Sequence, residues 1–179
     1  GEYDQGIQKI DLFPEIHEKR ILEVFIHCVK GDIKHTRRIE NEIDTSYMEA
    51  EEGNFLCLSG IHQEIEGNHI KNEKYMLQKI RSILQDYKMD FRKVFRTWFY
   101  LADILAWYKE FNQTRTDFYS KEKLYPIYYP SSTGIGLSAQ MDYSLVSYLN
   151  AVKDLKGSIE TVDSKSQCRA TDYGSSFSR

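Results

Sequence analysis

Two arginines are the side chains best suited to hold an anionic ligand. Arg96 lies in the run 94–104, where the alternation of a β-strand places it on one face with Trp98 and Tyr100. A guanidinium among aromatic rings can bind a carboxylate, but it can equally pair with an acidic side chain of a neighbouring subunit. Arg115 lies in a predicted helix. A ligand, a surface salt bridge or an interdomain salt bridge would each explain this second arginine.

The segment 130–136 supplies three further candidates for ligand binding, Ser132, Thr133 and Gly134, within the run Pro-Ser-Ser-Thr-Gly-Ile-Gly. Glycine lets the backbone approach a ligand and turn its N–H groups toward an anion. The same glycines also permit a β-bulge at the start of a strand, which is the simpler explanation. Asn112 is the last candidate, and packing or capping explains this asparagine as simply as ligand contact does.

The sequence assigns no catalytic residue, metal site or cofactor. The five histidines form no i, i+4 pair and have no cysteine at metal spacing. They are His17, His27, His35, His62 and His69. Cys57 stands in the apolar run 55–58 and is predicted to be a small core residue. No nucleophile elbow, P-loop or dinucleotide fingerprint is present.

Composition indicates an ordinary globular protein of about one domain, with 179 residues, 41% of them hydrophobic and 28% charged. A net charge of -3 and a pI near 6.0 provide no positive field that would attract nucleic acid, which weighs against nucleic acid as a partner. No apolar run approaches the ~18 residues of a membrane span, and residues 1–4 lack the features of a signal peptide. Three cysteines, an odd number, argue against a disulfide framework. We therefore expect a cytoplasmic protein without a membrane partner.

Apolar periodicity predicts two helices and four strands. The helices cover residues 72–87 and 104–119, and the strands cover residues 21–30, 54–61, 93–101 and 143–152. Asp103 is placed to cap the second helix. The predicted buried stripes are Met76, Ile80, Ile83 and Tyr87 in the first helix, and Ile104, Tyr108, Phe111 and Phe118 in the second. The charged segment 32–53 is predicted to be a solvated hairpin or a partly ordered connection.

The strand 93–101 is predicted to present two different faces. Phe95, Thr97, Phe99 and Leu101 point toward the helices, whereas Val94, Arg96, Trp98 and Tyr100 point the other way. A monomer would not leave such a polar and aromatic face in water. Another subunit or domain is therefore expected to cover it.

Four blocks of the sequence stand out together: residues 76–84, Arg96-Thr97-Trp98, Phe111-Asn112 and 130–136. In this order they resemble the Rid (YjgF-like) superfamily of small trimeric α+β proteins. The first domain of the two-domain, chorismatase-like branch is the most similar. The resemblance implies an α+β, chorismate-mutase-like fold, with a largely antiparallel sheet and two helices on one face. It also implies that three subunits, or a second Rid-like domain, cover the face bearing Arg96.

The resemblance also implies a division of the chain. Residues 1–155 are predicted to form the Rid-like domain. Residues 156–179, rich in Ser, Thr and Gly, are predicted to be a linker, leading into a second Rid-like domain if the chain is a fragment of a longer protein.

Two functions of different classes follow from the resemblance. Rid enzymes that hydrolyse enamines and imines hold the substrate carboxylate with an arginine two residues after a proline, where this chain has Ser132. Such deamination is therefore disfavoured. In the first function, the chain belongs to a chorismatase-like protein that binds or converts a small carboxylated metabolite in an intersubunit or interdomain cleft. This chain would then be the non-catalytic half of that protein. The alternative is a trimeric, non-enzymatic regulatory module of the type labelled translation inhibitor or endoribonuclease.

Two details qualify the resemblance. Chorismatases usually have Trp-Asn-Tyr in the strand, whereas this chain has Trp98-Phe99-Tyr100. Asn112 matches a helix asparagine that recurs in Rid sequences and fixes backbone near the intersubunit cleft.

Overall fold

A computed structural model describes residues 32–62, 67–124, 128, 130–137, 143–160, 162 and 165–166. Within these residues there are two α-helices and six strands. The elements are β1 (Ile33–Glu40), β2 (Ile43–Ala50), β3 (Gly53–His62), α1 (His69–Asp86), β4 (Val94–Ala102), α2 (Ile104–Lys121), β5 (Ser131–Leu137) and β6 (Leu145–Lys153). The predicted helices and three of the predicted strands agree with these bounds to within three residues. The predicted strand 21–30 lies outside the described residues.

The strands form one sheet in the order β1-β2-β3-β6-β4-β5. Every neighbouring pair is antiparallel except β4 and β5, which are parallel because α2 carries the chain across between them. The charged segment 32–53 forms the β1–β2 hairpin, as the first of its two predicted alternatives has it. The predicted solvation holds for β1, which is mostly exposed, and was wrong for β2, where Ile43, Thr45, Ser46 and Met48 are buried. The described helices include none that is both long and apolar enough to cross a lipid bilayer.

Both helices pack on one face of the sheet, as the predicted α+β fold requires. Helix α1 begins after Asn68, whose side chain accepts a hydrogen bond from the N–H of Lys71. The buried stripe of α1 consists of Met76, Leu77, Ile80 and Leu84, with Ile83 and Tyr87 half-buried beside it. This stripe confirms the helical periodicity of the sequence.

Helix α2 departs from the prediction in its first turn. Asp103 precedes the helix in a left-handed conformation (φ 48°) and makes no capping hydrogen bond with its side chain. The backbone is non-helical at Trp107 (φ -144°), whose indole N–H donates to the carbonyl of Ala102. This kink rotates the remainder of the helix. The buried side chains of α2 include Trp107, Phe111, Arg115 and Tyr119. Of the predicted stripe, Phe111 is buried and Ile104 and Phe118 are half-buried against the core, whereas Tyr108 is exposed and its prediction was wrong.

A register shift at the start of β4 changes its first side chains. Val94 pairs with Ala151 and Arg96 pairs with Asn150, so Phe95 is the extra residue of a β-bulge. Val94 consequently belongs to the core, and Phe95 is only half-buried. The predicted directions of these two side chains were wrong, whereas the alternation from Arg96 onward is as predicted.

Candidate functional site

The sheet divides the predicted ligand-binding residues between its two faces. Side chains alternate along β4 and β5, and the two strands are in parallel register with Trp98 beside Thr133. Arg96, Trp98, Tyr100 and Thr133 therefore lie on the face opposite the helices. Ser132 and Gly134 lie on the helix face, together with Asn112 and Arg115 of α2. The candidates form two clusters and not one site.

The first cluster, which we call the Arg96 face, consists of Arg96, Trp98 and Tyr100 of β4, Thr133 of β5 and Tyr148 of β6. The Arg96 guanidinium lies over the indole of Trp98, 4.8 Å from the ring centroid. Its Nη2 donates a 2.6 Å hydrogen bond to Oγ1 of Thr133. The rings of Tyr100 and Tyr148 meet edge to face, with centroids 5.4 Å apart. The sequence did not identify Tyr148 as part of this face, because Tyr148 pairs with Trp98, which is distant in sequence.

Arg96 is a half-buried cation that forms no ion pair with the described residues. Burial lowers the pKa of its guanidinium below the ordinary value. The hydrogen bond to Thr133 uses one of the five N–H donors of the guanidinium. The remaining donors and the aromatic rings around them form a surface that suits a planar anion.

The same sheet face continues away from β4 as a second buried apolar group. Met48, Cys57, Val146 and Val152 are buried there, apart from the cluster beneath the helices. Burial raises the pKa of the Cys57 thiol to about 12, so this cysteine is not a thiolate nucleophile at neutral pH. No three His, Cys, Asp or Glu side chains of the described residues come together as metal ligands would.

The second cluster lies between α2 and β5, with Arg115 at its centre. Arg115 is only 3% exposed, and its guanidinium donates to Oγ of Ser132 at 3.0 Å and to Oδ1 of Asn112 at 2.7 Å. The amide of Asn112 donates in turn to the carbonyl of Tyr108. The surface and interdomain salt bridges considered for Arg115 were therefore wrong. The rings of Phe99 and Phe111 lie 5.6 and 5.1 Å from the guanidinium.

Two buried polar residues beside this cluster were not identified from the sequence. Glu73 of α1 is 0% exposed, and neither of its carboxyl oxygens has a hydrogen-bond partner among the described residues. Burial raises the pKa of the Glu73 carboxyl from 4.5 to about 9, although Arg115 and nearby Thr114 oppose this shift. The hydroxyl of Tyr119 is also buried, with no hydrogen-bond partner in the described part of the chain, and burial raises its pKa to about 12. Glu73 is therefore a neutral acid at pH 7, so it does not provide Arg115 with an ionised partner.

The helical period did carry a signal for Glu73. Glu73, Leu77, Ile80 and Leu84 are spaced by four, three and four residues, so they share one face of α1. A glutamate in that register is on the buried stripe.

The glycines of β5 allow α2 to approach the sheet closely. A Cβ atom on Gly136 would lie 2.5 Å from Cγ2 of Ile104, and one on Gly134 would lie 3.3 Å from the ring of Tyr108. Helix packing therefore explains why both positions lack a side chain. Gly134 faces α2 and not the Arg96 face.

Solved structures share this arrangement of sheet and helices. A Salmonella typhimurium protein described as a candidate translation initiation inhibitor superposes with a TM-score of 0.51 at 10% identity, over 66% of this chain and 97% of that one. The chain has the YjgF/Rid fold. The YjgF gene product of E. coli (TM-score 0.50, 16% identity) is covered over 86% of its length by 57% of this chain. E. coli TdcF with bound serine gives the same TM-score and identity, over 56% of this chain and 81% of TdcF.

These superpositions establish the YjgF/Rid fold. At sequence identities this low they establish nothing about the chemistry, which must be argued from the residues of this chain. No protein-family model matches the sequence, and no curated protein matches it significantly. Ser132 stands where the resemblance places a carboxylate-binding arginine. It is buried on the helix face, and its hydroxyl accepts the hydrogen bond from Arg115. A neutral hydroxyl that is already engaged cannot replace that arginine.

Proposed function

We propose that this chain is a chorismatase-like member of the YjgF/Rid fold that binds a small carboxylated metabolite on the Arg96 face. The chain holds the ligand and supplies no catalytic acid. A second copy of the chain, in a homotrimer, or a second Rid-like domain closes the site. The observation that carries the proposal is the half-buried Arg96 guanidinium over Trp98, oriented by Thr133 and free of any ion pair with the described residues.

A carboxylate suits the donors of Arg96 best. A guanidinium fork gives two parallel, charge-assisted hydrogen bonds to a carboxylate, and the indole beneath Arg96 restricts the plane of the fork. Serine, the molecule named with the TdcF structure of the same fold, is itself a small carboxylated metabolite. This parallel supports the ligand class and does not identify the ligand.

The positions of the acidic groups favour a binding role over catalysis. Glu73 has the raised pKa expected of a general acid, but it lies on the helix face, with the sheet between it and Arg96. Enamine deamination by the usual Rid route remains disfavoured, because Ser132 carries no charge and Arg115 is held inside the core.

A trimeric, non-enzymatic regulatory module is the second candidate. It is favoured by the contacts of Arg96 to Thr133 and Trp98 within its own chain, because an arginine fixed in this way also suits a subunit interface.

The test measures binding of chorismate and of serine to the full chain by calorimetry, and compares Arg96→Gln with Arg92→Gln. Arg92 lies close in sequence but is exposed and bound to Asp90, so it serves as the matched control. We expect saturable binding of at least one compound, weakened about tenfold or more by Arg96→Gln alone. Absent binding of both, or equal binding by the two variants, would contradict the ligand-holding role and leave the regulatory module as the better function.

A further inference from the structure

A cleft of about 420 Å³ lies on the helix face, between the β1–β2 hairpin and α1. Its walls include Thr36 and Arg38 of β1 and Lys79 and Ser82 of α1. The sheet separates it from the Arg96 face. The volume falls within the range of about 300–1,000 Å³ that is typical of sites for small molecules.

The floor of the cleft is aromatic. The rings of Tyr47 and Tyr87 lie 4.9 Å apart at an angle of 43°, and both are half-buried against the edge of the core. Ile43 and Ile83 extend this floor. An apolar surface of this kind gains free energy when a flat ring covers it.

The walls of the cleft carry charges of both signs that the described residues leave unpaired. Arg38 and Lys79 are positive, and Glu40 and Asp86 are negative. No ion pair joins any of these four to the described residues.

Some neighbouring charges outside the cleft are paired. Lys34 pairs with Glu49 and Arg37 with Asp44 on the hairpin, and Arg81 of α1 pairs with Glu122. The four charges of the cleft instead surround the aromatic floor without such a pair, so a ligand with complementary charges can pair with them.

We propose that this cleft binds a small aromatic amino acid as a zwitterion. The ligand carboxylate lies toward Arg38 and Lys79, and the ammonium group pairs with one of the two acids, Glu40 or Asp86. The aromatic ring covers Tyr47 and Tyr87. A simple aromatic anion would leave both acids of the cleft unpaired, and an amine would leave both cations unpaired. This site is separate from the Arg96 face and does not depend on the function proposed for it.

Three probe compounds test the charge pattern, with binding to the full chain followed by NMR titration. L-phenylalanine carries both charges, 3-phenylpropionate lacks the ammonium, and phenethylamine lacks the carboxylate. We expect saturable binding of phenylalanine and binding of the other two that is about tenfold weaker, because each loses a charge-assisted contact. Equal or tighter binding of 3-phenylpropionate, or no saturable binding of phenylalanine at millimolar concentration, would overturn the proposal.

Matched variants locate the site. Lys79→Gln and Arg38→Gln are expected to weaken phenylalanine binding about fivefold or more. Lys71→Gln, on the same helix but outside the cleft, should bind as the unaltered chain does. If Arg96→Gln weakens binding and Lys79→Gln does not, phenylalanine occupies the Arg96 face and the cleft is not its site.

Discussion

The guanidinium of Arg115 donates a 3.0 Å hydrogen bond to the hydroxyl of Ser132, and so ties α2 to the edge strand β5. Both residues were predicted as ligand-binding candidates, yet each is buried and satisfies the other. A buried arginine without an ionised acid depends on such neutral acceptors and on the surrounding rings. The pair therefore stabilises the fold beneath the sheet and leaves Arg96 as the guanidinium of the predicted site that is available to a ligand.

Removing the Ser132 hydroxyl tests this pairing. Ser132→Ala is expected to lower the free energy of unfolding by about 1–3 kcal/mol, because a buried charged donor loses its acceptor. Urea denaturation measures the change. Ser131→Ala is the matched control, because Ser131 points to the opposite face of β5, and this variant should change stability by less than about 0.5 kcal/mol. An equal loss of unfolding free energy in the two variants would show that the Arg115–Ser132 hydrogen bond makes no particular contribution to stability.

Glu73 predicts an unusual dependence of stability on pH. Its pKa is raised from 4.5 to about 9 by burial, so between these values the folded chain holds a proton that the unfolded chain releases. Stability therefore falls as pH rises through this window, by up to about 1.4 kcal/mol per pH unit from this group. Chemical denaturation at pH 5.5 and 8 should show greater stability at the lower pH.

Glu73→Gln removes the titrating group and should flatten this pH dependence, with a gain in stability at pH 8. Glu110→Gln, an exposed position on α2, should keep the slope of the unaltered chain. A slope that survives in Glu73→Gln would show that another group is responsible.

Close packing of α2 on β5 can be tested at Gly136. A methyl group there would meet Cγ2 of Ile104 at 2.5 Å, so Gly136→Ala should destabilise the chain by about 1–3 kcal/mol through overpacking. Gly157→Ala is the control, because no atom of the described residues lies within 4 Å of the added carbon. Thermal unfolding of the two variants gives the comparison. A stable Gly136→Ala variant would mean that Ile104 moves aside at little cost.

Local sequence patterns were sufficient for most of the fold. The stripe of α1 and the alternation of β4 from Arg96 onward follow from periods of 3.6 and 2 residues, which a single segment displays. The bulge at Phe95 and the kink at Trp107 depend on pairing and packing with distant segments, so no local pattern revealed them.

The division of the candidate site depended on the same kind of distant relationship. Trp98 lies beside Thr133 only because β4 and β5 are parallel and in this register. A change of one residue in that register would have placed Ser132 beside Arg96. The sequence therefore supplied the candidate residues but could not show which of them lie together.

The Arg96 face is expected to form the interface between subunits. Trp98 and Tyr100 are half-buried on a sheet face that neither helix covers, and a closed trimer would remove their remaining surface from water. Light scattering should give the mass of three chains for the unaltered protein. Trp98→Glu would place a charge in the interface and should give a monomer, because an unpaired buried carboxylate is strongly unfavourable. Tyr75→Glu is the control, since Tyr75 is 52% exposed on α1 and should leave the trimer intact. A monomeric unaltered chain, or a Trp98→Glu variant that remains trimeric, would show that the Arg96 face is not the subunit interface.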